Sequence, residues 1–161
     1  MSDVPQETPA TQAVLAAGVH ARVVRTQPAH SAEESAELQE IELGALLRTI
    51  VVRRGENDYV FVLVPAGRRF DWPKLRAHLG VRRLSLPDAT EAHAATGYQR
   101  GAITPFGATT AWPVILDEAA MSRPVVAIGG GAHGVNLHLA PGELIRALDA
   151  VVVDVSAPEA G

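Results

Sequence analysis

Two apolar runs, TIVVR (49–53) and YVFVLVP (59–65), flank RGEND, a stretch of turn-type residues. Runs this short and this rich in Val and Ile suit strands, because a pleated surface accommodates β-branched side chains that crowd a helix. The connection is short enough to close a hairpin. Two well-buried strands at the middle of the chain require other elements on their faces, so the remaining sequence has to supply cover.

That cover is punctuated clearly. Thr8 before Pro9 reads as an N-cap with proline at the first helical position, and the run to Gly18 predicts a helix over about 9–17. ARVVRT (21–26) reads as a strand. Ser31 with Glu34 fits a capping box for SAEESAELQ, and Asp71 caps WPKLRAHL, which stops at Gly80. Asp88 with Glu91 forms a further box for a helix that ends before Gly97. WPVILD (112–117), RPVVAIGGG (123–131) and VNLHLA (135–140) are three apolar runs with turn signals between them; ELIRALDA follows as a helix and VVVDV (151–155) as a last strand. The order predicts one mixed α/β domain over 8–155, whose sheet has hairpins as well as crossovers, with 1–7 and 156–161 as fraying tails.

With 161 residues, 47% of them hydrophobic, the chain supports one real core and not two. There is no cysteine, which removes disulfides, thiolate catalysis and Cys-based zinc sites together. The first residues lack a basic start and an apolar run, and no segment approaches the ~20 apolar residues of a membrane span, so a soluble cytoplasmic protein with no membrane partner is expected. Net charge is −4, which argues against a nonspecific nucleic-acid binder. The distribution differs: ten basic and five acidic residues lie between Arg48 and Arg100, leaving that segment at +5 and the flanks at −9. Solvated faces with a coding bias toward arginine fit this split, and so does a local phosphate-facing surface.

Several chemistries find no support. His20, His30, His78, His93, His133 and His138 have no HExxH or HxH spacing, so no metal is expected. GGGAHG (129–134) lacks the Gly-Lys-Ser/Thr of a nucleotide loop and leads into a strand where such a loop opens a helix. No serine lies in a GxSxG elbow. No cofactor is implied.

What remains is a series of motifs in order: TPA (8–10), PAHSAEESAE (28–37), RTIVV (48–52), YVFVLVPAGRRFDWPKLRAHLG (59–80), ATGYQRGAITPFG (95–107), VILDEA (114–119) and GGGAHGVNLHLAPGELI (129–145). This resembles the YbaK/ProX family, the free-standing relatives of the editing domain inserted in bacterial prolyl-tRNA synthetases, over about 8–150. The resemblance implies a mixed, barrel-like β-sheet surrounded by helices. It also implies hydrolysis of the ester joining a wrong amino acid to the 3′ end of a tRNA, without metal or covalent intermediate. The partner implied is the acceptor end of an aminoacyl-tRNA, with an aminoacyl-tRNA synthetase as a possible second one.

Ester hydrolysis develops negative charge on the carbonyl oxygen, which backbone N–H groups beside glycines can approach closely. Gly101, Ala102 and Gly107, with Gly129, Gly130 and Gly131 opposite, are candidate walls. Tyr98 and Phe106 are candidate stacking partners for a single-stranded end, with core packing the competing reading for Phe106. One departure stands out. Typical members begin the RTIVV strand with Lys-Thr, and that lysine is their principal functional residue; here it is Arg48. Arginine keeps the charge and a fork of donors but does not act as a neutral amine. Two outcomes follow: a trans-editing deacylase in which Arg48 positions or stabilises, or a non-catalytic module that binds an aminoacyl or related small ligand. Hydrolysis of another activated ester or amide is a third. Thr49 alternates with Arg48 in facing, so only one of the two points deeply into a pocket, and Arg48 is favoured. His30 either lines a pocket rim or, the favoured reading, is a solvated histidine, and Asp117 either pairs with an arginine such as Arg48 or Arg100 or is an exposed strand-end carboxylate.

Overall fold

The computed structural model describes residues 7–159. The expected hairpin forms: β2 (Leu47–Gly55) pairs antiparallel with β3 (Asp58–Pro65). Asn57 takes the left-handed conformation at the turn, with φ 52°, and the register shifts between Arg53 and Gly55. Asn is among the few side chains that tolerate such a φ, which is why the connection closes there.

β3 is one of the two central strands of a four-stranded mixed sheet, whose order is β2, β3, β5 (Val114–Asp117) and β8 (Val151–Val153). It runs parallel to β5, and β5 runs parallel to β8. Buried on both faces, β3 reads as a continuous apolar run rather than an alternating one. Its Tyr59, Phe61 and Leu63 join one core, and Val60, Val62 and Val64 join another. Each such side chain contributes about 1.5–3 kcal/mol on burial.

The first core is closed by an antiparallel sheet in the order β1 (Ala21–Arg25), β7 (Val135–Leu139), β6 (Val126–Gly129), whose Val126, Ile128, Leu137 and Leu139 meet Leu47, Val51, Phe61 and Leu116. The second core lies against α3 (Trp72–Leu79) through Leu75 and Trp72. The mixed α/β fold is as expected, and its strands pair in three sheets rather than one closed barrel. Among the described residues one isolated bridge, Leu46 to Ala127, joins the two larger sheets.

The helices keep their expected caps. Thr8 and Thr11 cap each other reciprocally at α1 (Pro9–Ala16), and Ser31 accepts from the Glu34 N–H at α2 (Ala32–Leu38). Asp71 caps α3, Asp88 caps α4 (Ala89–Thr96), and both helices end on left-handed glycines, Gly80 and Gly97. At α4 the Glu91 carboxylate does not return to the cap; it accepts from the Tyr59 hydroxyl and pairs with Arg53. α5 (Pro141–Leu148) buries Leu144 against the first core.

Two elements were not expected. β4 (Arg68–Phe70) pairs antiparallel with β9 (Ser156–Pro158), so residues 156–158, expected in the fraying tail, form a strand with Ser156 fully buried. The N-terminal tail expectation falls, except for Glu7, outside the described residues. No helix among the described residues is long and apolar enough to cross a membrane.

Candidate active site

β2 is the outer strand of its sheet, and among the described residues its free edge is paired only at its ends. Leu46 bridges to Ala127 at one end; at the other, Arg53 and Ser85 exchange both backbone hydrogen bonds at 2.8 and 3.1 Å. In an antiparallel pair alternate residues turn their N–H and C=O groups outward. Since Arg53 faces outward, so do Val51 and Thr49. The edge opens between the two bridges, and a cavity of about 510 Å³ occupies the gap. It is walled by residues 46–51, by Ser31, Ala32 and Ser35 of α2, by 86–89 at the start of α4, by the 100–103 loop and by 132–136.

Arg48 and Thr49 both line this cavity but on opposite faces of the strand. Thr49 shares its face with Leu47 and Val51, and its Oγ1 is buried with no hydrogen-bond partner among the described residues. A buried hydroxyl left unpaired costs about 1–3 kcal/mol, which a ligand's polar group recovers. Arg48 is exposed, and its Nη2 donates to the Arg68 carbonyl at 2.7 Å. One of five guanidinium N–H donors is thereby committed.

Behind that carbonyl lies a buried network. Asp117 is fully buried; its Oδ1 accepts from the Val155 N–H at 2.9 Å and its Oδ2 from the Ser156 hydroxyl at 2.8 Å. Arg68 Nε donates to the Ser156 hydroxyl at 2.7 Å and stands 3.8 Å from Asp117. Asp117 therefore does pair with an arginine, but that arginine is Arg68 and neither Arg48 nor Arg100, and it is not an exposed strand-end carboxylate. The pairing of β4 with β9 brings Arg68 to it instead.

In the 100–103 loop, Gly101 has φ +89°, and a Cβ there would stand 2.8 Å from Cε1 of His133 across the cavity mouth. The Gly101 N–H has no recorded acceptor among the described residues, whereas the Ala102 N–H already donates to the Gln99 carbonyl at 2.9 Å. Gly129 also lines the cavity. Its neighbours are used differently: Gly130 donates to Val135 at 2.7 Å and accepts from the Thr8 hydroxyl at 2.5 Å, and Gly131 packs on Tyr98, Thr8 and Ala10.

The structure places the remaining candidates away from the cavity wall. Tyr98 and Phe106 are each 4% exposed in the first core, and the Tyr98 hydroxyl donates to the Phe106 carbonyl at 2.6 Å. Burial pushes the Tyr98 phenol up to about 12. Gly107 abuts the start of α1, where a Cβ would collide with the Pro9 carbonyl. His30 is exposed between the lining residues Ala29 and Ser31. Sequence reasoning missed Ser35, His133 and Asn136 as lining residues; His133 and Asn136 sit in the GGGAHGVN motif, which was the available signal. Among the described residues no three His, Asp or Glu side chains gather where they could hold a metal ion.

A family model, the aminoacyl-tRNA editing domain, matches residues 26–147. The chain belongs to this family. As an editing domain it is 26% identical over 129 residues to a candidate Cys-tRNA(Pro)/Cys-tRNA(Cys) deacylase, EbsC, of Enterococcus faecalis, covering 80% of this chain and 79% of that one. It is 25% identical over 120 residues to the proline–tRNA ligase of Thermosipho melanesiensis, covering 73% of this chain and 21% of the ligase, so that likeness is to one part of a longer enzyme. The crystal structure of a candidate trans-editing enzyme for prolyl tRNA synthetase superimposes with a TM-score of 0.87 at 28% identity, covering 96% of this editing domain and 99% of that chain. The resemblance read from the ordered motifs is borne out.

Proposed function

We propose that this editing domain hydrolyses, in trans, the ester joining a wrongly attached small amino acid to the 3′ end of a tRNA in the cytoplasm. The observation that carries this reading is the opened edge of β2, which sets Arg48, the unpaired Thr49 hydroxyl and two outward backbone residues in one cavity with the 100–103 loop. Its volume is in the range of sites that enclose a ligand larger than a free amino acid, as an aminoacylated nucleoside is.

In this reading water attacks the ester carbonyl carbon and the bond to the ribose oxygen breaks. The amino acid leaves as the free acid, and the ribose hydroxyl takes up a proton. Charge develops on the carbonyl oxygen, where the remaining donors of Arg48 and the Gly101 N–H stabilise it. The outward carbonyls of Thr49 and Val51 accept from the attacking water or from the α-amino group. Arg48 does not serve as the base, because a guanidinium keeps its proton at neutral pH. An aminoacyl-tRNA synthetase, prolyl by the relatives' names, is the partner whose errors it would correct.

The test is release of labelled amino acid from tRNAs charged with Ala, Cys, Ser, Thr and Pro, on cognate tRNAs and on tRNA(Pro). Multiple-turnover hydrolysis of at least one mischarged species is expected. Stability of every ester in the presence of the protein would end the hydrolase reading.

A further inference from the structure

Among the described residues Arg22, Arg48, Arg69, Arg76, Arg82, Arg83 and Arg100 carry no ion pair, and of those outside the cavity lining Arg82 and Arg83 are the adjacent exposed pair, four and three residues before the lining residue Leu86. Arg53 pairs with Glu91, Arg54 with Asp58, Arg68 with Asp117, Lys74 with Asp154, Arg123 with Glu42 and Arg146 with Glu143. Arg82 and Arg83 are exposed and have no ion pair among the described residues, although the chain as a whole carries −4. Their segment is held in place at its far end. Ser85 is bonded through both backbone groups to Arg53 on the edge of β2, and Leu86 and Pro87, the next two residues, wall the cavity. Leu86 is 59% exposed. Arg100, also exposed and without an ion pair among the described residues, lines the same cavity from the 100–103 loop.

We infer that segment 81–87 is the docking surface for an RNA stem whose single-stranded 3′ end enters the cavity. Arg82 and Arg83 contact backbone phosphates, and Leu86 covers a sugar or base face at the mouth. This rests on the tRNA reading above and adds to it where on the protein the stem lies. Charge complementarity selects the occupant. Two adjacent unneutralised arginines on the segment that leads into the cavity wall suit a polyanion, while a single exposed leucine offers too little apolar area for a stable protein interface. With Tyr98 and Phe106 committed to the core, no Phe, Tyr or Trp among the described residues lines the cavity and His133 is the stacking side chain there, so phosphate contacts carry most of the affinity and make it salt-dependent.

The experiment measures binding of an uncharged, fluorescently labelled hairpin RNA with an acceptor-type stem and a single-stranded CCA end, by anisotropy across a salt series. The double variant Arg82→Ala with Arg83→Ala should bind about tenfold more weakly and lower the slope of log K against log salt by about 1.5 to 2. Its thermal midpoint and its binding of the isolated CCA trinucleotide should be unchanged. Arg146→Ala, removing a charge on α5, should leave hairpin binding as it was. Equal affinity and equal slope for the double variant would overturn the docking surface. Because no ester is cleaved in this assay, failure of the hydrolase reading would show separately, as stable aminoacyl-tRNA beside normal hairpin binding.

Discussion

Asp117 shows how a residue's role is set by a partner distant in sequence. It was legible as a strand-end carboxylate in VILDEA, but its partners are the Val155 N–H, the Ser156 hydroxyl and Arg68, none of which its own strand announces. Removing it leaves buried donors unmatched, so Asp117→Ala should cost about 3 kcal/mol in urea unfolding. A loss within measurement error would mean that the network contributes nothing net. His138 gives a pH dependence. With Gln39 Nε2 donating to Ser35 Oγ, Gln39 Oε1 accepts from His138 Nε2 at 2.8 Å, and burial, aided by Arg22, holds the imidazole below its ordinary value of 6.5. The unfolded chain then takes up the proton first as pH falls. The contribution of His138 is therefore intact above about pH 6.5 and is lost below it. Between about pH 7.5 and 5.5 the urea midpoint of the natural chain should fall further than that of His138→Asn; parallel falls would assign the pH dependence to other groups. Of the residues singled out in the sequence, Arg48, Thr49, Gly101, Ala102 and Gly129 line the cavity, gathered by the ordered motifs, whereas strand period alone separates Arg48 from Thr49. The site was not legible at Tyr98 and Phe106, since an aromatic among glycines reads equally as a stacking platform and as a core anchor, and only packing decides.

At the scale of elements, the caps and β-branched runs carried their own signals. Thr8, Ser31, Asp71 and Asp88 each cap the helix they were assigned, and the hairpin of β2 and β3 forms where Val and Ile concentrate. β4 and β9 gave no such signal. RRF and SAP are three residues each, without apolar periodicity, and exist as strands because each supplies the other's hydrogen bonds. Deleting 156–161 should therefore lower the unfolding midpoint and reduce deacylation, because β4 also holds the carbonyl that Arg48 grips. A deletion with full stability and activity would restore the fraying-tail expectation. Gly107 belongs to this scale as well: at φ +70° against the Pro9 carbonyl it seats the loop on α1. Gly107→Ala should destabilise by about 2 kcal/mol or more through strain and displacement of that helix, seen as a lowered thermal midpoint.

For the whole molecule, two sheets meet at one isolated bridge among the described residues and part along the edge of β2, and the parted edge is the cavity. The fold class was readable because hairpin, crossovers and capped helices leave few arrangements; the parting was not, since it depends on where Ser85 and Ala127 happen to reach β2. The account stands on Arg48 acting at that edge. The decisive measurement is kcat for deacylation of the preferred mischarged tRNA by the natural chain, Arg48→Ala and Arg48→Lys. The account predicts a loss of at least about 100-fold in the alanine variant, with an unchanged melting temperature and partial or full recovery in the lysine variant. Unchanged kcat in Arg48→Ala would remove Arg48 from the chemistry. Turnover seen only in the lysine variant would make the natural chain a binding module.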